Sequence, residues 1–208
     1  MRERLKKICS LIERTPSFID IGCDHGLVVK YVLDHNLSER VVACDISEGS
    51  LDKARKLVGE DNRAEFKCAD GAKLNHSCET VLISGLGGLE MLSIIANCLP
   101  FVYILSPQSH VREVRESLLS RDYDIVYDEV IFDGKFYDVI KATRGGGLRR
   151  LESVDEIKLE YGIYADRISP ALKAKAEKLL AAVCCYPMNA QNAEKERKLK
   201  EVLKWQSR

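Results

Sequence analysis

The sequence predicts an α/β fold: a mainly parallel, doubly wound sheet with an antiparallel pair of strands at one edge, followed by a helical appendage. Three observations predict it. Five short runs rich in β-branched and apolar residues alternate with segments of helical spacing, as parallel crossover connections require. The last two strand-like runs, "YDIVYDEVIFD" and "KFYDVIKATR", have no helix between them and meet across Asp133-Gly134, a hairpin signal. Beyond Gly145-Gly146-Gly147 the residues are mostly helix formers.

The elements follow in order. Residues 2–13 read as a short amphipathic helix with Leu5, Ile8, Leu11 and Ile12 on one side, stopped by Pro16. "SFIDIG" is the first strand, and residues 26–36 form a helix facing inward with Leu27, Val28 and Tyr31. "RVVACDI" is the second strand. Ser47 caps the next helix, whose spacing is followed by Leu51, Ala54, Arg55 and Val58. "AEFKCAD" and "ETVLISG" are the third and fourth strands. "GGLEMLSIIANCL" is a helix leading to the fifth strand, "FVYILSP", and residues 110–120 form the helix before the hairpin. Helices over 151–161, 168–185 and 189–205 make the appendage, the last two an antiparallel pair separated by Pro187. The expected domains are 1–145 and 146–208. Parallel strands closed by an edge hairpin are the sheet of the Rossmann-like, class I S-adenosylmethionine-dependent methyltransferases.

Composition excludes more than it selects. The 208 residues hold 32 Lys/Arg against 32 Asp/Glu, so bulk charge predicts no partner. Residues 145–208 carry 13 of the bases and only 9 of the acids, a modest basic bias. Eight cysteines show no C-x-x-C and no paired Cys/His spacing, so we expect no metal and a reduced, cytoplasmic protein. Most sit in apolar runs such as "VVACDIS" and "FKCAD" and are expected to be buried. The N-terminus is basic without a continuous apolar stretch, which does not fit a signal peptide, and no run approaches the roughly 20 apolar residues of a membrane span.

"DIGCDHG", Asp20 to Gly26, stands where such a sheet keeps its glycine-rich loop. A dinucleotide site needs glycine at three offsets so that backbone approaches the pyrophosphate. Counted from Gly22, these fall on Gly22, Asp24 and Leu27; two fail, and Asp24 would repel a phosphate. No lysine stands where a P-loop requires one. A ligand with an ammonium and no phosphate fits better, and S-adenosylmethionine is one, its ammonium donating to a carboxylate. Asp45 ends the second strand, where an acid accepts ribose hydroxyls. Asp70 and Gly71 end the third, within reach of the adenine amine. As alternatives, Asp45 and Asp70 also suit a helix cap or a turn, and "SGLGG" (Ser84 to Gly88) a plain strand-to-helix turn. The candidate cofactor residues are Asp20, Gly22, Cys23, Asp24, His25, Asp45, Ile46, Asp70, Gly71 and Gly85.

"FIDIGCDHGLV", "ISGLGG", "ILSPQ" and "DGKFYDVI" together resemble the bacterial tRNA adenine-N1 methyltransferases that modify position 22, the TrmK family. The likeness runs from residue 1 to about 145 and continues more weakly into the appendage, coiled-coil-like in that family. Its most specific element is the D-H pair, Asp24-His25. Departures are Gly26 for alanine, Leu86 for methionine, and Ser106 and Gln108 for glutamine and asparagine. The resemblance implies methyl transfer from S-adenosylmethionine to N1 of a tRNA adenine. No exocyclic-amine clamp of the D/N/S-P-P-Y/F/W type is present, and N1 of neutral adenine needs no general base. Asp24, His25 and Gln108 are the expected catalytic residues, Asp24 and His25 bordering cofactor and base and Gln108 touching the adenine edge; His25 also suits a structural role. Tyr137 is a candidate for stacking on the base. We expect tRNA as the partner, held by Arg2, Arg4, Lys6 and Lys7 and by Arg149, Arg150, Arg167, Lys173 and Lys175, no membrane, and a monomer. The alternatives are a methyltransferase for a small molecule, a protein or another RNA, an NAD-dependent reductase, which the loop disfavours, and a non-catalytic RNA-binding module.

Overall fold

The computed structural model describes residues 2–74, 78–145, 151–187 and 189–207. Its elements are α1 (Glu3–Ser10), β1 (Thr15–Ile21), α2 (Leu27–Asp34), β2 (Ser38–Asp45), α3 (Glu48–Val58), β3 (Ala64–Cys68), a 3-10 turn (Gly71–Lys73), β4 (Thr80–Ser84), α4 (Gly88–Asn97), β5 (Val102–Ser106), α5 (Val111–Leu119), β6 (Tyr123–Asp133) and β7 (Lys135–Arg144). The sheet has seven strands in the order β3-β2-β1-β4-β5-β7-β6. Strands β1 to β5 are mutually parallel, and β7 runs antiparallel to both β5 and β6. From β1 the chain winds outward through β2 and β3, then returns to β4 on the other side. That reversal opens a crevice at the carboxyl ends of β1 and β4.

Successive strand residues face opposite sides of the sheet. Phe18, Val41, Ala43, Leu82 and Ile104 pack with α1, α2 and α3; Ile19, Ile21, Val42, Val81, Ile83 and Leu105 pack with α4 and α5. Burying Val28, Val29, Val32 and Leu33 holds α2 down at about 1.5–3 kcal/mol per side chain. On the α1–α3 face the apolar rows turn polar at their last residue. Phe18 is followed two positions on by Asp20, Leu82 by Ser84 and Ile104 by Ser106. The crevice floor is therefore polar while everything beneath it is core.

The appendage contains a 3-10 turn (Leu151–Ser153), α6 (Glu156–Tyr161), α7 (Pro170–Cys184) and α8 (Ala190–Trp205). The single helix expected over 151–161 is split because Asp155 starts a new one, accepting from the Ile157 N–H at 2.8 Å. Leu159 and Ile163 join the core beside α4 and α5, while α7 and α8 form a third cluster that includes Val130 of β6. Arg115 of α5, fully buried, ties these parts together. It pairs with Asp128 of β6 (2.8 Å) and Asp138 of β7 (2.9 Å), and donates to Leu159 O. Asp138 in turn accepts from Lys175 of α7 at 2.6 Å, and Asp128 from the Ile163 N–H at 2.7 Å.

Three inward assignments change. Leu27 is 46% exposed, at the rim of the crevice rather than in the core. Arg55 lies on the surface of α3, paired with Glu48 and Asp52. Cys68 is exposed, as are Cys184 and Cys185, whereas Cys9, Cys23, Cys44, Cys78 and Cys98 are buried. Gly146, Gly147, Arg149 and Arg150 lie outside the described residues. Among those described, no helix is long and apolar enough to cross a membrane.

Candidate active site

The loop after β1 is wound by three left-handed residues, Gly22 (φ 75°), Asp24 (φ 48°) and Gly26 (φ 73°). Asp24 occupies the middle-glycine position and keeps glycine-like backbone, which aspartate tolerates better than most side chains. The loop hangs from β2: the N–H groups of Gly22 and Cys23 donate to Cys44 O at 2.8 and 3.0 Å. Asp45 fastens it further, accepting from the Asp24 N–H at 3.0 Å and the Ser47 N–H at 2.9 Å. A Cβ on Gly26 would stand 2.7 Å from Ala54 Cβ, so the close approach of α3 accounts for glycine where the TrmK pattern has alanine.

This loop borders a cleft of about 380 Å³, within the range of small-ligand sites. Eight expected residues line it: Asp20, Gly22, Cys23, Asp24, His25, Asp45, Gly85 and Gln108. Ile46, Asp70 and Gly71 do not. Ile46 is 73% exposed beside Asp45. Asp70 caps the 3-10 turn, accepting from the Ala72 N–H at 3.0 Å, which is the turn-forming role left open for it. Gly71 serves packing, since a Cβ there would lie 2.4 Å from Ile21 Cγ2. The cleft also takes in Arg4 and Leu5 of α1, Ser84 and Leu86. Helical spacing marks the apolar side of α1 but carries no sign that α1 folds across the cleft.

Charge in the cleft is unbalanced. Asp20 is 3% exposed, and burial, reinforced by the neighbouring Asp45 and Asp24 carboxylates, pushes its carboxyl up to about 7. Burial, reinforced by the Asp45 and Asp20 carboxylates, pushes the Cys44 thiol up to about 11 and the Cys23 thiol higher still, so neither supplies a thiolate nucleophile. Ser84 Oγ and Ser106 Oγ are buried with no hydrogen-bond partner among the described residues. His25 is exposed, its Nε2 lying 3.4 Å from Asp24 Oδ1 and 3.2 Å from Lys53 Nζ, so it is no buried structural histidine.

The opposite wall comes from α1, the hairpin tip and the loop after β5. Arg4 stacks on Tyr137 with its guanidinium carbon 4.6 Å from the ring centre, and its backbone N–H donates to Asp133 at 3.3 Å. Gln108 Nε2 donates to Gly85 O. Three carboxylates around a tight turn, with no glycine cradle for phosphate, suit a compact cationic ligand with hydroxyls. An ammonium would offset the like-charge strain at Asp20, so these residues fit S-adenosylmethionine.

A sheet of this topology with an acidic cleft at its switch point defines the Rossmann-like class I S-adenosylmethionine-dependent methyltransferase fold. A family model described as "methyltransferase domain" matches residues 1–140. A Mycoplasma pneumoniae protein named as a tRNA methyltransferase is 30% identical over 151 residues, 69% of this chain and 71% of the relative. A Mycoplasma genitalium protein named likewise is 31% identical over 144 residues, 65% of this chain and 66% of its own length. The chain belongs to the methyltransferase-domain family, together with these mycoplasmal proteins. Among solved structures it is similar to M. capricolum TrmK in complex with S-adenosyl-homocysteine (TM-score 0.84, 22% identity, 100% of this chain and 98% of that one). It is also similar to the B. subtilis m1A22 tRNA methyltransferase TrmK (TM-score 0.76, 19% identity, 100% and 97%). At these identities the likeness concerns the fold, which extends through the appendage.

Proposed function

We propose that this chain transfers the methyl group of S-adenosylmethionine to N1 of adenine 22 in tRNA, as a monomer in the cytoplasm and without a metal. The observation that carries the cofactor is the cluster of Asp20, Asp24 and Asp45 on a glycine turn hostile to phosphate. The relatives named as tRNA methyltransferases, and the TrmK-like fold that includes the appendage, support the substrate. Asp20 and Asp24 would face the ammonium, and Asp45 the ribose hydroxyls while it fastens the loop. The bound cofactor supplies an activated methyl group on sulfonium.

The protein then has to align and shield. N1 of adenine carries a free lone pair, so no residue need remove a proton before attack. Alignment of the base against the cleft supplies much of the rate. Methylation leaves the base cationic, and the negative potential of Asp20, Asp24 and Asp45 favours that charge as it develops. Residues 1–145 would carry the chemistry and 146–208 the tRNA docking. Lys175 is committed to Asp138, and Arg167 stacks on Tyr164 at 4.0 Å, which leaves exposed Arg2 and Lys173 better placed to meet phosphates.

The test is methyl transfer from labelled S-adenosylmethionine to unmodified tRNA transcripts, followed by nucleoside digestion. The expected product is 1-methyladenosine, lost when adenine 22 is replaced by guanine. Tight cofactor binding without RNA labelling would assign the cleft to another substrate class.

A further inference from the structure

Gln108 is held unusually firmly for an exposed side chain. Its backbone N–H donates to Leu86 O at 3.1 Å, and the neighbouring Gly85 N–H donates to Ser106 O at 3.2 Å. Its Nε2 donates to Gly85 O, a carbonyl made available by the left-handed Gly85 (φ 91°). Because a carbonyl can only accept, that bond fixes which end of the carboxamide is nitrogen. A carboxamide offers two N–H donors and one oxygen acceptor. One donor is spent on Gly85; among the described residues the second N–H and Oε1 have no partner, and the side chain lines the cleft. What remains is a donor and an acceptor, side by side, on a support laced to both loops.

We propose that Gln108 selects the target base by pairing with the Hoogsteen edge of adenine, Oε1 accepting from the N6 amine and Nε2 donating to N7. The inference rests on the adenine-N1 reaction proposed above and specifies how that base is chosen. Glutamine matches this edge bidentately. The chemistry selects the edge: N1 must keep its lone pair for the methyl group, so a donor placed on N1 would block the reaction. Contact through N6 and N7 leaves N1 unencumbered. Guanine presents O6 and N7, two acceptors, so Oε1 would face O6 with no proton between them. The same amide therefore accepts adenine and rejects the other purine.

Two tRNAs decide it, one with adenosine at the target position and one with 7-deazaadenosine, which replaces N7 by C–H and keeps N1 and N6. Removing N7 enriches the ring in electrons, so a slower reaction cannot come from a weaker nucleophile. Wild-type kcat/KM should fall on the order of tenfold on the analogue. Gln108→Met, similar in volume, should be slower on adenosine and treat the two tRNAs alike, while its cofactor affinity stays at the wild-type value and reports an intact fold. Equal wild-type rates on both tRNAs would overturn the proposal, and so would a Met variant that keeps the wild-type ratio. Should that variant not fold, the wild-type ratio alone decides. A wild-type enzyme that labels neither tRNA would overturn the parent reaction instead.

Discussion

Behind the hairpin, Arg115 meets Asp128 and Asp138 with opposite charges in contact, whereas at the loop after β1 Asp20, Asp24 and Asp45 face one another with like charge. Both groups are tightly framed by backbone, yet their electrostatics differ in sign. Burial alone would raise Asp138, but Lys175 and Arg115 outweigh it and hold its carboxyl below the usual carboxylate range. At Asp20, burial and neighbours act together, and the carboxyl rises. A buried cluster whose charges close on themselves is a fastening. One left with surplus charge of a single sign at the end of a sheet is waiting for a ligand of the other sign.

The largest expected effect comes from opening the closed cluster. Arg115→Met would leave Asp128 and Asp138 facing each other without the guanidinium, and loss of one partner of a buried ion pair costs about 3–5 kcal/mol. The cost should fall toward the lower end, because Lys175 and the Ile163 N–H remain as partners. Urea denaturation measures the loss, and limited proteolysis should show α7 and α8 cut first. A stability change below about 1 kcal/mol would mean that this cluster does not fasten the appendage.

The open cluster should respond in the opposite sense. With the folded pKa of Asp20 near 7 and the ordinary value 3.8, the folded state holds a proton that the unfolded state has released between these limits. Stability is therefore fully present below about 4, declines as pH rises through about 7, and then levels off. Asp20→Asn removes that slope and should stabilise the free protein at pH 8 by about 2 kcal/mol, the unpaired amide offsetting part of the gain. The variant should bind S-adenosylmethionine more weakly. For the wild type, a cationic ligand favours ionised Asp20, so affinity should rise with pH up to about 7 and binding should release a proton. Calorimetry in buffers of different ionisation enthalpy reads that proton; pH-independent affinity between 5.5 and 8 would remove Asp20 from the ligand site.

Much of this contrast was legible in the sequence on one side only. The succession of strands and helices, the edge hairpin and the acidic loop follow from local patterns: β-branched runs, Asp133-Gly134, and an aspartate where glycine belongs. The resemblance to TrmK proteins added the substrate class, and the two mycoplasmal relatives are named as tRNA methyltransferases. The closed cluster was invisible, because Arg115, Asp128, Asp138 and Lys175 come from four elements and look individually like surface charges. The same holds for Arg4, whose place over the cleft depends on how α1 crosses the sheet face. Asp70 shows the converse: a local cue, acid-glycine after a strand, suits a ligand and a turn equally, and in the structure its carboxylate accepts from the Ala72 N–H of the turn.

The smallest effect separates charge from backbone within the open cluster. Asp24 sits at φ 48° with a side chain 75% exposed. Asp24→Ala would remove the carboxylate and also force alanine into left-handed backbone, confusing the two roles. Asp24→Gly removes only the carboxylate, since glycine adopts this conformation without a steric penalty. Folding stability should change by less than about 0.5 kcal/mol, the relief of strain offsetting glycine's entropy. Cofactor affinity should fall by about fivefold, an exposed charge being worth about 1 kcal/mol, and the difference should shrink in high salt. Asp24→Ala should show the same affinity loss with an added destabilisation of about 1 kcal/mol. A glycine variant with unchanged affinity at low salt would reduce Asp24 to a turn residue and leave the cofactor ammonium to Asp20 alone.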